Sequence, residues 1–173
     1  MALERTLRYY DGLVFIHPDR LQCVPVEGRG YYLSALCEAT EVMFGQDKPV
    51  FLFPWDFRES NFLLEEFGRK IDVIPSLHYR VPEGTNTQLH VLSMADRIGK
   101  KPRDVRLAAG GVELRCCIPG WMHQWCDTVR SSVVAKPFDS FLARTVPERR
   151  LGYGRILREL TEVGYLYCEK TNK

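Results

Sequence analysis

The chain has 173 residues, of which 45% are apolar and 27% charged, the composition of a globular protein with enough length to bury a core without disulfide or metal staples. A formal charge of +2 weighs against a nucleic-acid-binding surface, and no run approaches the roughly 20 apolar residues that cross a bilayer. Six cysteines and an N-terminus without the apolar core of a signal peptide, Met1-Ala2-Leu3-Glu4-Arg5, point to a reducing, cytoplasmic setting in which most thiols are small buried hydrophobes. No repeat, low-complexity tract or linker divides the chain, so one α/β domain over residues 1–173 is expected.

Taken in order, the first apolar run is Leu13-Val14-Phe15-Ile16, which stops at His17-Pro18-Asp19. Tyr31 to Gly45 follows with helical spacing: Tyr32, Leu33, Leu36, Cys37, Thr40, Met43 and Phe44 share a face, and Gly45 is placed to cap it. A second run, Val50-Phe51-Leu52-Phe53, ends at Pro54-Trp55-Asp56. Glu59–Arg69 reads as a short helix, with Asp56 a candidate N-cap. The third run, Ile71-Asp72-Val73-Ile74, leads into a polar loop from Pro75 to Asn86 and then a helix over Thr87–Ile98, carried by Leu89, Leu92, Met94 and Ile98 and stopped by Gly99.

The fourth run, Val105-Arg106-Leu107-Ala108, meets Ala109-Gly110-Gly111, and a helix is expected over Pro119–Arg130. Ser132-Val133-Val134-Ala135 reads as a fifth strand, Glu148–Val163 as a last helix and Tyr165–Cys168 as a closing edge strand. Short, non-alternating apolar runs belong to strands covered on both faces. Their alternation with helices predicts an open, mostly parallel, doubly wound sheet of about five strands with helices on both faces. Ligands of such sheets sit outside the carboxyl ends of the strands. A rival local reading folds Val105–Ala108 and Val112–Cys116 into a β-hairpin around the glycines.

The residues at those strand ends, with Gly111 six positions before Cys117, resemble the isochorismatase-like cysteine hydrolase superfamily over roughly residues 12–135. Phe53-Pro54-Trp55-Asp56, Asp72-Val73-Ile74-Pro75, Gly84-Thr85-Asn86-Thr87-Gln88-Leu89 and the span from Gly111 to Ile118 carry the likeness. The resemblance implies a cysteine nucleophile at Cys117, action on an amide or related small planar substrate, and self-association. The chain departs from the pattern in several places. His17 stands where the family has Asp, no Lys falls between Lys70 and Lys100, Leu114 replaces a hydroxyl residue, and Asp56-Phe57-Arg58 replaces a metal-binding acid-x-His triplet.

From the residues themselves, Cys117 just ahead of Pro119 would gain thiolate character from a helix N-terminus and from Arg80 or Arg115. His17 is the candidate base and Asp19 its orienting acid. Trp55, Asp56, His78, Arg80 and Trp121 are the candidate substrate contacts. Each also has a structural reading: Cys117 as a buried strand thiol, His17 as a hydrogen-bonded strand end, Trp121 and Trp125 as helix packing. The alternative to an enzyme is a non-catalytic binding or scaffold domain that meets a protein partner.

A third reading gives Gly28-Arg29-Gly30 and the basic run Lys100-Lys101-Pro102-Arg103 to a nucleotide or nucleic acid, although no complete phosphate-loop motif is present. Cys117, His123 and Cys126 are too irregular for a zinc knuckle, so no metal or cofactor is expected.

Overall fold

Every residue of the first strand is buried, so it must lie between neighbours on both sides, and the topology shows why. In the computed structural model, residues 2–23, 26–54, 61–74, 85–111, 121, 132–135 and 143–146 are described. Four parallel strands, β1 (Gly12–Ile16), β2 (Val50–Phe53), β3 (Ile71–Val73) and β4 (Leu107–Gly111), lie in the order β3-β2-β1-β4. The helices are α1 (Ala2–Leu7), α2 (Val26–Gly45), α3 (Phe62–Phe67) and α4 (Thr85–Ile98). Beyond β4, β6 (Ala143–Val146) pairs antiparallel with β4, and β5 (Ser132–Ala135) pairs antiparallel with β6. Among the described residues, no helix is long and apolar enough to cross a membrane.

The strand order reverses between β1 and β4. The chain steps outward from β1 to β3, then returns through α4 to the far side of β1. β4 is displaced two or three residues from the expected Val105–Ala108 and runs through the glycines to Gly111. All of Leu107–Gly111 pairs parallel with Gly12–Ile16, which removes the β-hairpin reading because Ala109-Gly110-Gly111 are ladder residues, not a turn. Small side chains allow the close approach. Gly111 has φ 150, and a Cβ there would stand 2.1 Å from the Ile16 carbonyl oxygen, far inside contact distance.

Helix ends follow backbone chemistry more than composition. α4 closes as expected at Gly99 (φ 75): the Gly99 amide donates to Asp96 O and the Lys100 amide to Ala95 O, the Schellman arrangement. α2 closes the same way, but Gly45 is not its cap. Asp47 (φ 55) takes the left-handed position, its amide donating to Phe44 O while the Lys48 amide donates to Met43 O. α3 is capped by Asn61, whose side chain accepts from the Leu63 amide, so Asp56 is not its N-cap.

α2 starts at Val26, five residues before the expected Tyr31, and takes Gly28-Arg29-Gly30 into its first turns. Those glycines are therefore helical and form no anion-binding loop. Burial of Tyr32, whose hydroxyl donates to Pro18 O, anchors the helix strongly enough to carry the two glycines. α1 is tied to the end of α2 by Lys48, whose Nζ donates to Leu7 O, Arg8 O and Gln46 Oε1. In α4, Met94 and Ala95 face the core, whereas the expected core residue Leu92 is exposed.

Gly111→Ala should destabilise the fold by at least about 3 kcal/mol, because the clash falls on backbone and the φ is strained for any L side chain. Urea midpoints of the two proteins measure it, and an unchanged midpoint contradicts the β1–β4 contact.

Candidate functional site

The strand order reverses between β1 and β4, and in open parallel sheets ligands bind outside the carboxyl ends of the strands at such a point. His17 stands there as the first residue past β1. Its amide donates to Phe53 O at 2.8 Å, extending the β1–β2 ladder by one step beyond the strand. Its φ is +50, a left-handed backbone uncommon for histidine, and it turns the chain into Pro18-Asp19-Arg20. The Arg20 amide donates back to His17 O at 3.4 Å and the Leu21 amide to Asp19 O at 2.7 Å. Strand pairing therefore fixes one side of His17 and a tight turn fixes the other.

His17 is 1% exposed. Burial first, and the neighbouring Arg20 guanidinium second, push its pKa from 6.5 down to about 4. His17 is therefore neutral across the physiological range, as a proton acceptor must be. The same burial weakens it as a base, since the imidazolium it forms needs a nearby negative charge. Asp19 lies half-buried in the same turn, two residues on.

Phe53, the last residue of β2, is the centre of an aromatic group at this edge. The Trp121 ring lies 5.8 Å from it at 61°, and the His90 ring of α4 lies 5.7 Å from it at 54°. Trp121 is buried. His90 Nδ1 is buried with no hydrogen-bond partner among the described residues, and burial lowers its pKa as well. The edge thus carries two imidazoles that favour the neutral form.

Of the sequence-derived candidates, His17, Asp19 and Trp121 fall on this edge. Cys117, Trp55, Asp56, His78 and Arg80 lie outside the described residues, as does the Cys117-His123-Cys126 cluster. Among the described residues, no three His, Cys, Asp or Glu side chains gather to hold a metal. Sequence reasoning put Phe53 and Gly111 at strand ends but did not assign His90 to this edge. His90 left one legible signal: it precedes Met94 and Ile98 by four and eight residues, on one helical face. Comparison with protein-family models, with curated proteins and with solved structures returns no match.

The lowered pKa of His17 carries a stability signature. An unfolded histidine titrates near 6.5 and the folded His17 near 4. Above pH 6.5 both states are neutral and the fold keeps its full stability. As pH falls from 6.5 towards 4, only the unfolded chain takes the proton, and stability drops by about 3 kcal/mol. His17→Asn, which tolerates the left-handed backbone, should lose that much less than wild type between pH 7 and pH 4 in urea titrations. Parallel pH profiles would contradict a buried neutral imidazole.

Proposed function

We propose that this edge is the active site of a cysteine-dependent hydrolase, a divergent member of the isochorismatase-like superfamily acting on an amide or related small planar molecule. The observation that carries the proposal is a buried, neutral His17 held by strand pairing at the point where the strand order reverses, beside Gly111. Further support comes from the two residues that bracket positions 112–120: Gly111 ends β4 and Trp121 meets the Phe53 ring edge-on, so both belong to the same edge. Cys117 falls between them in sequence.

In the proposed reaction the Cys117 proton passes to His17 and the sulfur adds to the substrate carbonyl carbon, its oxygen stabilised by backbone amides of that segment. The C–N bond then breaks, the amine departs with the proton returned from His17, and water hydrolyses the thioester. Asp19 and the thiolate itself supply the negative charge that the new imidazolium requires. Trp121 contributes an apolar wall, and Trp55, Asp56, His78 and Arg80 complete the substrate contacts. A doubly wound sheet with helices on both faces, a cytoplasmic setting and self-association belong to the same proposal.

A second reading, a binding domain that keeps the fold without the chemistry, is favoured by one observation: burial leaves His17 a weak base. Alkylation separates the two. At pH 7, iodoacetamide should modify Cys117 at least about 10-fold faster than Cys37, whose thiol pKa is raised by burial and then by Glu66 and Glu41. His17→Asn should abolish that preference, and Cys117→Ala should abolish turnover. Equally slow labelling of Cys117, Cys37 and Cys168, read by mass spectrometry, overturns the hydrolase and leaves the binding domain.

A further inference from the structure

The opposite edge of the parallel strands carries a different chemistry. A cavity of about 630 Å³ opens there, below the starts of β1, β2 and β3 and at the ends of α2 and α4. Four cations from separate parts of the chain line it: Lys48 after α2, Lys70 before β3, and Arg97 and Lys100 at the end of α4. Asp11 and Asp47 are the acids on its wall.

The cations are engaged unequally. Lys100 Nζ meets Asp11 Oδ1 at 2.6 Å, and the other Asp11 oxygen accepts from the Arg106 amide, so that carboxylate is fully used. Among the described residues, Lys48 Nζ is hydrogen-bonded by neutral acceptors, two backbone carbonyls and Gln46, and the Asp11 carboxylate acts on its charge from a distance. Among the described residues, Arg97 engages Asp72 through Nε, at 3.0 Å, and its terminal nitrogens make no other ion pair. Lys70 is exposed, makes no ion pair among the described residues and sits 6.0 Å from the Phe44 ring. Burial lowers the Lys48 pKa most; the Asp11 carboxylate then raises it, and Lys100 lowers it by less than Asp11 raises it.

The carboxyl ends of α2 and α4 bring partial negative charge to this edge, which the four lining cations oppose. The Schellman closures at Gly99 and Asp47 satisfy the Ala95, Asp96, Met43 and Phe44 carbonyls. The basic run Lys100-Lys101-Pro102-Arg103 continues from the cavity rim, adding positive potential outside it.

We propose that this cavity is a binding site for a small molecule bearing a polyphosphate, with the terminal nitrogens of Arg97 gripping oxygens in pairs and Lys70 and Lys48 balancing the charge. The volume exceeds what two phosphates fill, so an organic group attached to them is accommodated. The site lies on the edge away from His17 and stands whether or not Cys117 is a nucleophile.

Inorganic pyrophosphate is the probe, read by calorimetry and by the melting temperature of the full chain, against sodium chloride at equal ionic strength. Saturable binding that weakens with salt is expected. Lys70→Gln and Arg97→Lys, which respectively remove a charge and keep it without the paired donors, should each weaken binding by about fivefold to tenfold. Asp47→Asn, which keeps the left-handed cap and removes the opposing charge, should tighten it severalfold. A melting shift no larger than that of sodium chloride overturns the site, and so does pyrophosphate affinity unchanged in all three variants.

Discussion

The close contact of β1 with β4 is the constraint from which the rest of the molecule follows. Ile16 and Gly111 meet with so little space that a single methyl group at position 111 would strike the Ile16 carbonyl. That contact draws β4 across to the free side of β1 and makes the strand order reverse there. A reversal in a parallel sheet leaves the two neighbouring connections diverging, and the gap between them is where a ligand fits. The residue that follows Ile16 is His17, so the packing constraint and the proposed base share one point in the chain.

The two edges of the sheet have been given opposite electrostatics. At the carboxyl edge, aromatic rings around Phe53 and the burial of His17 and His90 penalise charge, and both imidazoles are held towards the neutral form. At the amino edge, helix ends and strand starts bring lysines and an arginine together around open space. The division is a consequence of topology. In a parallel sheet every strand begins on one side, and charged residues such as Asp11, Lys48 and Lys70 that flank the apolar runs collect there.

Much of the fold was legible because apolar runs and glycine stops carry strong physical signals. Leu13–Ile16 and Val50–Phe53 are strands because nothing else buries four consecutive large apolar residues so economically, and Gly99 closes α4 because only a left-handed residue can. Other features were hidden for identifiable reasons. Asp47 caps α2 through a backbone conformation that its side chain tolerates without advertising. Gly28 and Gly30 look like a loop, yet the buried Tyr32 carries the helix through them. β6 offers Ala143-Arg144-Thr145-Val146, which has too little apolar content to stand out, and its place is set by pairing with β4 and β5. Of the candidate site, His17 was visible because it ends an apolar run, whereas His90 was hidden in a helix whose buried face was read from Leu89, Leu92, Met94 and Ile98. Leu92, one of those leucines, faces outward.

The most direct test is the separation between the Cys117 sulfur and the His17 ring in a crystal structure of the free protein. A hydrolase working through this edge needs them within about 3–4 Å, close enough for one proton transfer. A sulfur more than about 8 Å from the imidazole, beyond reach even through one water, contradicts the assignment of the carboxyl edge as a cysteine-dependent active site.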